Sequence, residues 1–262
     1  MISIIGFPTD KNSSFQKGAA LAPSIIIDAF DSNSTNKFSE NGINAGKNDI
    51  CIYRGCADLG DYENEFQIIQ KAIQKELKKN NLCISIGGDH SITFPILKAY
   101  QKFYPRVSIL HFDAHPDLYK NFENNKYSHA SPFARIMENS LASSLTQIGI
   151  RTLNEHQKAQ ANLYNVNIIE MKDFDPNFKF RSDDPIYISI DLDGLDPAFA
   201  PGVSHPEPGG FSTRELIQII SNIDGKIIGA DIVECNPEKD INNITAITAA
   251  KLLKELIGKI SD

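Results

Sequence analysis

Short apolar, β-branched runs recur along the chain at Ile2–Ile5, Leu82–Ile86, Val107–Phe112, Leu145–Ile150, Val166–Ile169, Ile186–Ile190 and Ile227–Val233. Between them lie amphipathic stretches with helical spacing: Glu63–Lys79, Phe94–Phe103, Pro132–Glu138, Glu155–Tyr164, Thr213–Ile223 and Ile241–Ile257. Continuous apolar runs suit strands buried on both faces, and strands alternating with helices imply βαβ units. The pattern predicts an α/β fold of three layers, α-β-α, around a mostly parallel sheet. From Asp31 to Gly60 the chain is rich in Asn, Ser, Gly and Lys. That stretch reads as a long surface excursion carrying one short strand near Ile50–Tyr53, which brings the sheet to about eight strands. No repeat or linker divides the chain, so residues 1–262 are expected to form a single domain.

Composition narrows the function. The 262 residues carry 26 Lys and Arg against 33 Asp and Glu, a net charge of −7. With no basic patch, nucleic acid and anionic membrane are not expected partners. No apolar run is long enough to span a bilayer. The first residues, MISIIGFPTDKNSS, lack the features of a signal peptide and read as the first strand. The four cysteines, Cys51, Cys56, Cys83 and Cys235, form no CxxC pair. They fit a reducing compartment, and a cytoplasmic location is expected.

The chemistry gathers where strands end. In open parallel sheets, sites form beyond the carboxyl ends of the strands. Leu82–Ile86 is followed by Gly87-Gly88-Asp89-His90-Ser91, and Val107–Phe112 by Asp113, His115 and Asp117. Ile186–Ile190 is followed by Asp191, Asp193 and Asp196, and Ile227–Val233 by Glu234. Alternate residues of extended chain share a face, so Asp113, His115 and Asp117 point together, as do Asp191 and Asp193. Taken singly, an Asp after a strand is ordinarily a helix cap and a His there a structural residue. Asp196, before Pro197, reads as a turn former. His111 reads as a support or core residue, and His156 as exposed. Four carboxylates at one sheet edge, however, repel unless neutralised. Their charge of −4 matches two divalent cations, and two imidazoles complete a hard oxygen-and-nitrogen ligand set. Without thiolates, that set favours Mn²⁺-like ions over structural zinc. Such a pair holds and acidifies a water between the ions.

The same residues carry a resemblance that covers most of the chain. Gly87–Ser91, Phe112-Asp113-Ala114-His115-Pro116-Asp117 and Ser189-Ile190-Asp191-Leu192-Asp193 with Asp196-Pro197 resemble the three metal motifs of the ureohydrolase family, which includes arginase and agmatinase. The segment from Gly6-Phe7-Pro8 through Gly18 and Pro23, and the motif Ala57–Asp61, are similar to further family segments. The resemblance implies a single α/β domain and two Mn²⁺ per subunit. One ion would be held by His90, Asp113, Asp117 and Asp191, the other by His115, Asp113, Asp191 and Asp193. It implies His129 as the proton-shuttling residue and Glu234 as the partner of a substrate guanidinium. It implies hydrolysis of a small guanidino substrate to urea and an amine, in a homo-oligomer, a trimer or hexamer. For the substrate's tail, the aligned positions are Tyr119, where arginases carry Asn, Asn154, where arginases carry an acid, and His205, where many members carry Thr. Ala130 replaces the usual Gly after the shuttle His. Tyr119 leads to the expectation of agmatine, cleaved to putrescine. The alternatives are a guanidinobutyrase, arginase or formiminoglutamase activity, or a non-catalytic metal-bound binding protein.

Overall fold

The apolar runs become the strands of one sheet. The computed structural model describes residues 1–60 and 64–262. Among these residues eight strands are β1 (Ile2–Phe7), β2 (Cys51–Cys56), β3 (Leu82–Gly87), β4 (Ser108–Phe112), β5 (Ser144–Ile150), β6 (Asn167–Glu170), β7 (Ile186–Asp191) and β8 (Ile227–Val233). They pair in the order β2-β1-β3-β8-β7-β4-β5-β6, every pair parallel. The chain steps from β3 past two places to β4, runs outward to β6, then returns to fill the gap with β7 and β8. The four strands whose ends carry the candidate chemistry therefore lie side by side as β3-β8-β7-β4.

Helices cover both faces. Packed on one are α1 (Ala22–Asp31), α6 (Thr213–Ser221) and α7 (Ile244–Ser261), with Ile26, Ile220 and Leu253 meeting Ile4, Ile84, Ile188 and Ile232 of the strands. On the other are α2 (Glu65–Leu77), α3 (Thr93–Tyr100), α4 (Pro132–Glu138) and α5 (Glu155–Tyr164), with Ile73, Ile96, Phe133 and Ala161 meeting Ile5, Ile109, Tyr187 and Ile228. Successive strand residues divide between the two cores, as the pleat requires.

Helix α1 lies where no helix was expected. Its run Ile25-Ile26-Ile27 has β-branched, strand-like character, but Ile26, Ile27 and Phe30 recur at helical spacing and are buried. Pro23 sits in its first turn, where the missing N–H costs nothing. The polar excursion is short of apolar anchors and is tied down by hydrogen bonds instead. Buried Lys254 donates to Asn36 O (2.9 Å), and the Glu40 N–H donates to the buried Glu255 carboxylate (3.0 Å). The start of the expected helix at Glu63, and Asp61 of the short motif, lie outside the described residues.

Gly87-Gly88 makes the turn that leads β3 into the site. The Gly88 N–H donates to Phe7 O (3.1 Å) and the Asp89 N–H to Thr9 O (2.8 Å). A Cβ on Gly88 would lie 1.6 Å from the Thr9 carbonyl oxygen, so only glycine permits this approach. Gly88→Ala is expected to force the two segments apart and cost about 1–3 kcal/mol or more, the range for overpacking. Denaturant unfolding measures it, and a variant as stable as the parent would contradict the account.

Candidate active site

Turns at the ends of the four central strands aim the acidic and imidazole groups at one another. After β3, the Asp89 side chain caps a 3-10 turn (His90–Ile92) by accepting from the Ser91 N–H (3.0 Å). After β7, Asp191 does the same for the turn Leu192–Gly194, accepting from the Asp193 N–H (2.8 Å). Asp117 (φ 50°) and Glu234 (φ 65°) both adopt the left-handed region, uncommon for residues with side chains, where the chain bends sharply at the site.

Two groups of ligand-type atoms result. In the first, His90 Nδ1 lies 3.0 Å from Asp117 Oδ2, 3.1 Å from Asp191 Oδ2 and 3.4 Å from Asp113 Oδ2. In the second, His115 Nδ1 lies 3.1 Å from Asp193 Oδ2 and 3.4 Å from Asp113 Oδ1. Asp113 thus faces both groups, one oxygen each. Asp191, expected by resemblance to reach both, faces the first group with Oδ2 while its Oδ1 is taken by the Asp193 N–H. His90 Nδ1 is buried and makes no hydrogen bond despite three carboxylate oxygens around it. Each imidazole Nδ1 faces carboxylate oxygens at 3.0–3.4 Å, a set of nitrogen and oxygen ligand atoms that a shared cation would hold together.

Burial makes the charge problem acute. Asp113, Asp117, Asp191 and Asp193 are all buried. Burial and the Asp113 charge push Asp117 up to about 7. Burial, then Asp193 and Asp113, pushes Asp191 well above the usual carboxylate range. Burial, with Asp113 adding to it against the pull of His115, raises Asp193 to about 6. Asp113 goes the other way. Burial opposes its charge, but His111, His115 and His90 outweigh it and hold Asp113 well below the usual range. His111 Nε2 lies 2.9 Å from Asp113 Oδ2, and its Nδ1 faces the amide Nε2 of Gln147 at 2.9 Å. The amide can only donate, so Nδ1 accepts and Nε2 carries the proton to Asp113. Burial lowers His111 to about 4, so it stays neutral in this role. It is a support for Asp113, as its place inside β4 suggested.

Above these groups opens a cavity of about 170 Å³. Its walls are Ser14, His115, Asp117, Tyr119, Phe122, His129, Ala130, Thr152, Gln157, Asp191, Asp193, His205 and Glu234. Glu234 Oε1 accepts from the His90 N–H (2.8 Å) and lies 2.8 Å from His129 Nδ1, while its buried Oε2 has no partner. Burial opposes a charge on His129, but Glu234, with Asp89 and Asp117 behind it, raises it to about 9. Ser14 serves either protonation state of His129 Nε2, its Oγ at 2.8 Å accepting from the charged ring and its N–H at 3.2 Å donating to the neutral one. The His205 ring centre lies 5.0 Å from that of His129 and 6.1 Å from that of His115. Burial, then the nearby His129, lowers His205 to about 4.

Of the residues expected at the substrate's tail, Tyr119 and His205 line the cavity and Asn154 does not. Asn154 caps α5, its Oδ1 accepting from the Gln157 N–H (3.0 Å), and its Nδ2 donates to the Tyr119 hydroxyl (2.6 Å). It stands behind Tyr119 with both polar atoms engaged. His156, exposed as expected, stacks on the Tyr119 ring (5.5 Å between centres, 14° between planes). Ser14, Phe122, Thr152 and Gln157 were not foreseen. Gln157 is buried and its Oε1 has no partner. The visible signal was its place three residues after the cap Asn154, on the first turn of α5.

Comparison with known proteins agrees with this geometry. A sequence model of the Arginase family matches residues 1–258. The chain is 42% identical to arginase 1, mitochondrial, of Arabidopsis thaliana over 281 residues, covering 99% of this chain and 81% of that protein. It is 32% identical to an agmatinase of Bacillus anthracis over 76% of this chain and 71% of that protein. The solved structure of arginase from Medicago truncatula superimposes with a TM-score of 0.95 at 39% identity, covering 99% of this chain and 87% of that one. From the motifs at the strand ends, the eight-stranded parallel sheet and these matches together, the chain belongs to the arginase family.

Proposed function

We propose that the protein is a binuclear-metal amidinohydrolase that splits a guanidino compound into urea and an amine. The observation that carries this is the convergence of two imidazole Nδ1 atoms on buried carboxylate oxygens at the floor of a cavity walled by Glu234 and His129. His90, Asp113, Asp117 and Asp191 would hold one cation, and His115, Asp113 and Asp193, with Asp191 adjoining, the other. The hard donor set and the lack of thiolates favour Mn²⁺. When bound, the ions neutralise the carboxylates and acidify water enough to give hydroxide near neutrality.

The chain's own groups supply the rest. Glu234 keeps Oε1 on the His90 N–H and His129, which leaves Oε2 to accept from a planar guanidinium through charge-assisted hydrogen bonds. His129, held protonated by Glu234, delivers a proton to the leaving amine, and Ser14 receives its Nε2 in either state. His205, neutral, adds a wall beside them.

The tail is read by Tyr119 and Gln157. The Tyr119 hydroxyl accepts from Asn154 and keeps its own O–H to donate, while Gln157 Oε1 is a free acceptor. One donor and one acceptor together suit an α-carboxylate and an α-ammonium better than Tyr119 alone would. This, with the kinship to plant arginases, supports arginine as the substrate. A second reading, agmatine, follows from Tyr119 standing where arginases carry Asn, and from the absence of Lys or Arg among the described residues lining the cavity. Urea release from both compounds is expected to give a kcat/KM at least about tenfold higher for arginine, or about 1.4 kcal/mol. The reverse ratio would establish the agmatine reading and overturn the pairing of Tyr119 with Gln157.

Two variants test the machinery. Glu234→Gln removes the charge that meets the guanidinium, so kcat/KM is expected to fall on the order of 10²-fold for every guanidino substrate, as loss of a charged hydrogen bond implies. An effect on one substrate only would contradict the role. His129→Ala is expected to keep both metals and lose about 10²–10⁴ in kcat. The His129 pKa is raised, so its acid form is present at lower pH and is lost as pH rises through about 9. Wild-type kcat is therefore expected to decline across that range, and the decline should vanish in the variant. A pH profile unchanged by the substitution would assign the proton to another group.

A further inference from the structure

Beneath the carboxylates, the register of the sheet aligns a row of polar side chains. Ser85 pairs with Asp231, Asp231 with Ser189, Ser189 with His111, and His111 with Gln147, across β3, β8, β7, β4 and β5. All five are fully buried. Neighbouring positions on the same face, such as Cys83, Ile109, Tyr187 and Val233, belong to the core packed under α2 to α5. A carboxylate placed there is costly unless hydrogen-bonded, and Asp231 is: Oδ1 accepts from Ser189 Oγ (2.6 Å), and Oδ2 accepts from Tyr187 OH (2.8 Å) and Thr93 Oγ1 (2.9 Å).

Those bonds have a directional consequence. Ser189 has one proton, and it goes to Asp231. Its oxygen can then only accept from His90 Nε2, which lies 2.9 Å away. His90 therefore carries a proton on Nε2, so that in the neutral ring Nδ1 is the nitrogen with the lone pair, and Nδ1 is the atom that faces Asp113, Asp117 and Asp191. Among the described residues, no comparable chain of hydrogen bonds stands behind the ring of the half-buried His115.

We propose that Asp231 is a positioning residue for the His90 side of the metal site, acting through Ser189 to fix the tautomer and orientation of His90. The proposal rests on the metal reading given above. It predicts an effect confined to one of two cation positions, since Asp231 touches neither the His115 group nor the cavity.

Calorimetric titration of the metal-free chain with Mn²⁺, without substrate, tests it. Wild-type protein is expected to take up two ions. Ser189→Ala and Asp231→Asn are expected to keep one ion at wild-type affinity and to bind the other about 10–100-fold more weakly, the usual consequence of losing the partner of a ligating His. The double variant is expected to be no weaker than the worse single one, because the two residues act in series. Ser189→Ala leaves Asp231 two hydroxyl donors, so it carries the test if Asp231→Asn does not fold. A purely structural Asp231 would lower the melting temperature and leave both affinities of Asp231→Asn unchanged; that result, unchanged affinities in Ser189→Ala, or an equal loss at both positions in either variant overturns the proposal. Wild-type protein that took up no Mn²⁺ would overturn the metal reading itself, and the relay with it.

Discussion

Four carboxylates are brought together out of water at the carboxyl edge of the sheet, and the surrounding structure is arranged around that concentration of charge. Asp113, Asp117, Asp191 and Asp193 are each buried, and burial with mutual repulsion raises three of them. Left to themselves, such groups take up protons or drive the strand ends apart. Two divalent cations would remove the conflict and turn the repelling groups into ligands. The topology makes the concentration possible, because the return of β7 and β8 between β3 and β4 sets the ends of four strands next to one another.

Around that cluster the two faces of the sheet do different work. Under α1, α6 and α7 the strands present an apolar surface. Under α2 to α5 the same strands carry the buried row from Ser85 to Gln147, whose hydrogen bonds fix the rings of His90 and His111. The N-terminal loop joins from above, with the Asn12 N–H on Asp89 and Ser14 on His129. Segments far apart in sequence thereby hold one another through the site, so the arrangement of the catalytic groups and the packing of the loops are a single structural problem.

The sheet and the metal-type residues were legible in the sequence because both rest on short-range pattern. Strand runs announce themselves by composition, and acids spaced by two after a strand share a face whatever the rest of the chain does. What could not be read depends on tertiary context. Helix α1 was hidden by an isoleucine run that reads equally as strand. Asn154 was expected to touch the substrate, but its two polar atoms are consumed by the α5 cap and by Tyr119. Gln157 came to the cavity only through the way α5 docks. Asp231 was visible as a lone acid in the apolar run Ile227–Val233, a signal whose meaning waits on knowing that Ser189 and His90 lie beside it.

On the proposed reading, this edge of the sheet seats two cations, one on either side of Asp113. A crystal structure of the Mn²⁺-loaded protein, with anomalous scattering collected at the manganese edge, tests it most directly. Two peaks about 3.5–4 Å apart are expected, one within bonding distance of His90 Nδ1 and the other of His115 Nδ1, with Asp113 between them. A single peak, or none, with Asp113 and Asp191 left facing only imidazoles, would contradict it.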